Sequence, residues 1–108
     1  MTLDQETCTP CRGGVPSLSL EEAKPYLAEV PDWVLSSDAT RIRRRFDFGD
    51  FADALAFVNS VGGLAEAEGH HPDLSFGWGY AEVVLFTHKI HGLHPNDFIM
   101  AAKIDRIS

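Results

Sequence analysis

Five histidines occur in the chain, and all of them fall between positions 70 and 94. Imidazole is the side chain whose ordinary pKa, about 6.5, lets it give or take a proton near neutrality, so this clustering points first to proton transfer. His70-His71-Pro72 lies at the hand-over from a helix to a strand, where proline biases the residue before it toward extended geometry and so restricts the direction of His71. Neighbouring side chains on an extended backbone point apart, but Gly69 makes a turn sterically easy there and so lets both rings face one pocket. Glu66 stands one helical turn before His70, within reach to orient an imidazole or hold its proton. Further along, His88 is expected to end the last strand, with His91 and His94 in the loop behind it. Asp97, in the first turn of the last helix, can hydrogen-bond a neighbouring imidazole and fix its tautomer. Two bland readings stand beside these: a solvated helix end for His70 and His71, and polar loop surface for the rest.

Other chemistry fits the pattern less well. His88-x-x-His91-x-x-His94 could array imidazoles for a metal, but the spacing is not diagnostic. Cys8-Thr9-Pro10-Cys11 is half of a zinc site at best, because no second cysteine pair exists to complete it. A thioredoxin-type redox role needs a βαβ context that is absent, which leaves two free thiols in a flexible arm. The basic stretch Arg41, Arg43, Arg44 and Arg45 splits between the two faces of a strand and reads as solvated surface.

The elements that must position these groups follow from local pattern. Residues 1–17 concentrate turn formers without periodicity and read as an irregular N-terminal arm; residues 18–108 read as a single domain. Ser19-Leu20-Glu21-Glu22 has the form of a capping box and opens a short helix, with Pro25 inside it and Pro31 beyond. Trp33–Ser36 and Thr40–Phe48 form a first hairpin, with Ile42, Arg44, Phe46 and Phe48 on one face. Phe51, Leu55, Val58, Gly62 and Ala65 recur at helical spacing over about 50–67, with Gly69 as a left-handed stop. Gly62-Gly63 marks either close packing or a break in that helix. A second hairpin follows over Leu74–His88, and Pro95 with Asp97 opens a last helix to about Arg106. Hairpins alternating with helices predict an α+β fold, a two-layer sandwich of order α-β-β-α-β-β-α with a four-stranded antiparallel sheet covered by helices on one face.

Length and charge narrow the function classes. At 108 residues with 44% hydrophobic content the chain can wrap one core. A net charge of −7 argues against nucleic acid or an anionic membrane as partner. No run approaches the ~18 apolar residues of a bilayer span, and the N-terminus lacks the features of a signal peptide, so a cytoplasmic location is expected. Val84 and Phe86 beside Glu82 suggest an open sheet face that a homo-oligomer would bury, either dimer or tetramer.

The spacing Glu66-x3-His70-His71-Pro72, followed by Trp78, His88 and Asp97 after gaps of five, nine and eight residues, resembles the signature of the pterin-4a-carbinolamine dehydratases, also called dimerisation cofactor proteins. The resemblance covers about residues 18–106 and extends to the element order and to Pro31-Asp32-Trp33. It implies a hydro-lyase, a 4a-hydroxytetrahydrobiopterin dehydratase, that eliminates water from 4a-hydroxytetrahydropterin to give quinonoid dihydropterin in tetrahydrobiopterin recycling, with no metal and no organic cofactor. By the motif, His70, His71 and His88 are the catalytic imidazoles, and Glu66, Trp78 and Asp97 support them or the substrate. Asn96 departs from members that carry arginine beside the aspartate, which bears on substrate affinity and not on the reaction class. The alternative within the same fold is a non-catalytic dimerisation or assembly factor, and some relatives of that kind lack the histidine set. All of this requires imidazoles from around position 70 and from position 88 to meet in one pocket wide enough for a bicyclic ring.

Overall fold

The structure, a computed structural model, describes residues 3–9 and 13–108. Ser19 and Glu22 form the reciprocal cap that the sequence predicts. The Glu22 N–H donates to Ser19 Oγ at 3.1 Å and the Ser19 N–H donates to Glu22 Oε1 at 2.9 Å. The helix they open, α1, spans Leu20–Leu27, and it ends two residues past Pro25, which removes one backbone hydrogen bond.

The sheet consists of β1 (Val34–Leu35), β2 (Ile42–Asp47), β3 (Asp73–Gly77) and β4 (Tyr80–Leu85), all antiparallel, in the order β1-β2-β4-β3. The second hairpin therefore docks through β4 onto β2, and sequence-distant strands share the centre. Alternation decides the faces. The pairs Ile42↔Leu85 and Phe46↔Ala81 are buried, whereas Arg43 and Arg45, opposite Val84 and Glu82, look outward. On that outer side Arg41 lies over Phe86 and Arg45 over Tyr80, so guanidinium groups partly cover the aromatic surface.

Two longer helices fill the second layer. In α2 (Phe51–Glu68) the Asp50 side chain caps the start by accepting the Asp53 N–H at 2.8 Å. Gly69 closes it at φ 67°, a left-handed conformation that only glycine adopts without steric cost. The helix passes Gly62 and Gly63 unbroken, and a Cβ at either would meet nothing within 4 Å, so close packing within the chain does not explain them. Helix α3 spans Pro95–Ile107, and α2 packs on β3, β4 and α3. Phe57 of α2 meets Phe46 of β2 at 4.5 Å between ring centroids, and Phe98 of α3 stacks on Tyr26 of α1 at 5.3 Å. Of these, the buried Phe46, Phe57 and Phe98 each contribute roughly 1.5–3 kcal/mol relative to exposure. The result is the predicted α+β arrangement, a sheet with helices on one face. No helix among the described residues is long and apolar enough to cross a membrane.

Two expectations need correction. Strand β4 stops at Leu85, and His88 opens a 3-10 turn, His88–Ile90, instead of ending the strand. The cause is a local closure, in which Thr87 bridges Gly92 through two backbone hydrogen bonds and curls the chain between them. That turn ends at His91 in the left-handed region, φ 52°. The arm is also less irregular than its composition suggests. It begins with a 3-10 turn over Leu3–Gln5, buries Leu3, and is tied down by Lys103 Nζ on the Asp4 carbonyl and by Arg106 on the Asp4 carboxylate.

Candidate active site

The left-handed stop at Gly69 turns the chain from α2 toward β3, and the next two side chains take different partners although both border one cleft. His70 turns inward with its side chain 9% exposed, and its Nε2 lies 2.6 Å from Oδ1 of Asp97, which has no exposed surface. A carboxylate only accepts, so His70 Nε2 carries a hydrogen toward Asp97 Oδ1. His71 turns outward, and its Nε2 lies 2.9 Å from Glu66 Oε1, with side chains 60% and 80% exposed. Glu66 therefore partners His71, one residue past the histidine for which its spacing was first read.

Asp97 is held from three directions. Its Oδ2 accepts the Thr87 hydroxyl at 2.9 Å and the His94 N–H at 3.0 Å, which leaves Oδ1 to His70. It also occupies the first turn of α3, where the helix dipole favours negative charge. His94 caps the same helix, its Nδ1 accepting the Asn96 N–H at 3.0 Å. Burial, before the repulsion from His70, pushes the His94 pKa below its ordinary 6.5, and the nearby Asp97 charge opposes this.

His70, His71 and His88 line one cleft of about 300 Å³, together with Pro72, Phe86 and Thr87. That volume sits at the small end of ligand sites. Phe86 packs against His88 with 4.1 Å between ring centroids and so limits how the His88 ring can turn. Two distant stretches of chain thus converge on one space. Trp78 does not join them: it stands at the β3–β4 turn, 72% exposed, away from the cleft wall. A second depression of about 340 Å³, at the β1 edge of the sheet, is lined by Asp32, Val34 and Arg43 to Arg45. It offers no imidazole, and its arginines are engaged, Arg43 with Glu82, Arg44 with Asp105 and Arg45 with Asp47.

Among the described residues, no group of three or more His, Cys, Asp or Glu side chains is arranged to hold a metal ion. The Cys8-Thr9-Pro10-Cys11 half-site falls partly outside the described residues, since Cys11 does. Cys8 is a half-buried free thiol whose pKa is pushed up to about 12, by burial first and then by Glu68. Asn96 is buried and faces the arm. Its Oδ1 accepts the Thr9 N–H at 3.0 Å and its Nδ2 donates to the Thr9 carbonyl at 2.7 Å.

Sequence reasoning overlooked Thr87 and the capping role of His94. Parity along β4 could have found the first, because Ala81, Val83 and Leu85 point inward and the next position in that series is a hydroxyl. His94-Pro95-Asn96-Asp97 has a capping-box shape with histidine in the place of serine or threonine.

The family description "Pterin 4 alpha carbinolamine dehydratase" matches residues 16–107. A protein of Aromatoleum aromaticum is 58% identical over 106 residues, covering 98% of this chain and 95% of that one. One of Methylococcus capsulatus is 54% identical over 107 residues, covering 99% and 94%. Both are provisionally named as pterin-4-alpha-carbinolamine dehydratases. The crystal structure of a transcriptional coactivator/pterin dehydratase from Brucella melitensis superposes with a TM-score of 0.79 at 30% identity, over 84% of this chain and 97% of that one. A pterin dehydratase-like protein described as a RuBisCO assembly factor in the alpha-carboxysome superposes with a TM-score of 0.61 at 26% identity, over 70% and 88%. The chain belongs to the pterin 4 alpha carbinolamine dehydratase family.

Proposed function

We propose that the protein is a 4a-hydroxytetrahydrobiopterin dehydratase acting by general acid/base catalysis within a single domain over residues 18–108. One observation carries the reading: imidazoles from both ends of the β3–β4 hairpin region, His70 and His71 on one side and His88 on the other, line the same cleft. Elimination of water from the 4a-hydroxypterin breaks the C4a–O bond. The departing oxygen takes up a proton and a ring N–H gives one up, so the products are quinonoid dihydropterin and water. Neither step needs a covalent nucleophile or a redox centre. His70, with Nε2 committed to Asp97, presents one nitrogen of fixed direction. His71 and His88 are exposed to solvent. Glu66 and Asp97 orient His71 and His70. The role of Trp78 in substrate binding rests on the family spacing alone.

The recycling of tetrahydrobiopterin, a cytoplasmic setting and a homo-oligomeric state belong to the same reading. Val84 and Phe86 are half-buried on the sheet face that the helices leave open, in register with the exposed Val34, and supply apolar surface that a second copy would cover. The competing reading is a non-catalytic assembly role, suggested by the RuBisCO assembly factor among the structural neighbours. A stopped-flow absorbance assay on 4a-hydroxytetrahydropterin separates them. The purified protein is expected to accelerate dehydration, and His70→Ala and His88→Ala are each expected to lower kcat by ~10²- to 10⁴-fold. A folded wild-type protein that leaves the spontaneous rate unchanged overturns the enzymatic reading in favour of assembly.

A further inference from the structure

The two histidine stretches that meet in the cleft are joined by a residue of its wall, the chain neighbour of His88. Thr87 is buried, and its hydroxyl donates to Asp97 Oδ2 at 2.9 Å. Oδ1 of the same carboxylate receives His70 at 2.6 Å. The main chain of Thr87 does a second job. Its N–H donates to the Gly92 carbonyl at 2.8 Å, and its carbonyl accepts the Ile90 N–H at 3.3 Å and the Gly92 N–H at 3.4 Å, which closes the turn that begins at His88. Side chain and backbone of one residue therefore fix both imidazole positions.

We propose that Thr87 is a positioning residue that holds His70 in register with His88 through the Asp97 carboxylate; the kinetic part of this rests on the dehydratase reading above. A carboxylate with a single donor on Oδ2 rotates more freely about its Cβ–Cγ bond than one with two, and His70 follows because Oδ1 is its anchor. His94 cannot replace the hydroxyl, since its N–H already occupies the other site on Oδ2. Catalysis between two groups of fixed separation is sensitive to displacements of an ångström or less. The hydroxyl, donated to Asp97, thus acts on rate and tautomer.

The test compares Thr87→Val, which keeps shape and loses the hydroxyl, with Thr87→Ser, which keeps the hydroxyl. Thr87→Val is expected to lower kcat by on the order of ten- to a hundredfold with KM within about twofold, and Thr87→Ser to restore most of the rate. Equal loss in both variants, or a folded Thr87→Val with unchanged kcat, overturns the proposal. A second readout needs no turnover. Imidazole ¹⁵N shifts of the wild-type protein are expected to show His70 with its hydrogen on Nε2, and that population is expected to fall in Thr87→Val, or in Thr87→Ala should the valine variant not fold. A His70 ring with its hydrogen on Nδ1 in the wild type, or no change in the variants, refutes the positioning role. An inactive wild type with the expected ¹⁵N pattern counts against the dehydratase reading alone.

Discussion

Two neighbouring histidines each sit beside a carboxylate at nearly the same distance, yet they occupy opposite physical regimes. The His70–Asp97 contact, at 2.6 Å, is shut away from water, and its carboxylate is satisfied by two further donors. The His71–Glu66 contact, at 2.9 Å, is open to solvent on both sides. In water the attraction is screened and the ordering of two mobile side chains offsets it, so such pairs contribute at most about 1 kcal/mol. In the interior each hydrogen bond left unmade costs about 1–3 kcal/mol, so removal of one partner is felt by all the others. Distance alone says little about what a contact does; the surroundings decide whether it fixes a geometry or merely decorates a surface.

The contrast can be broken most sharply at Asp97. Asp97→Ala strands the Thr87 hydroxyl, the His94 N–H and His70 Nε2 without an acceptor, and is expected to cost on the order of 3–5 kcal/mol in urea unfolding. Against a total of roughly 5–15 kcal/mol for a domain of this kind, that is a large loss. A cost below about 1 kcal/mol would place Asp97 in the same class as Glu66. A smaller effect is expected at His94. Its folded pKa lies below 6.5, so the folded state resists a proton that the unfolded chain accepts. Stability is therefore complete above pH 6.5 and declines as pH falls from there through the lower folded value. His94→Asn keeps a capping acceptor without titrating, and thermal unfolding at pH 7.5 and 5.5 should show a shallower pH dependence than in the wild type. The smallest change is expected from Glu66→Gln, within about 1 kcal/mol and fading further in high salt. A loss that persists at 1 M salt would mean that this pair too is sheltered, for instance by a second copy of the chain.

The sequence made the elements legible wherever a local rule governs. The Ser19–Glu22 box, the Asp50 start of α2, the Gly69 stop and the Pro95 start of α3 need only a few residues to specify them. Histidine clustering likewise drew attention to the right stretch of chain. What local pattern could not supply was the pairing of partners. The choice of Asp97 by His70 and of Glu66 by His71 depends on where α3 and α2 lie relative to two adjacent rings, and that placement is tertiary. The end of β4 was misplaced for a related reason. The alternating pattern continues through Phe86 to His88, but the closure of Thr87 on Gly92 takes over first. The arm was read from its turn formers, whereas its placement depends on Glu68, Asn96 and Lys103, all far away in sequence.

The two-point clasp between Asn96 and Thr9 bears on how the protein should be handled. The boundaries of the family match, residues 16–107, invite trimming the first fifteen residues as a dispensable leader. Such a shortened version would uncover an amide that is matched on both its oxygen and its nitrogen, one position before the aspartate that steers His70. It would also strip the Cys8 N–H from Glu68. Crystallisation and assay work is therefore safer with the opening segment left whole and any purification handle moved to the other terminus.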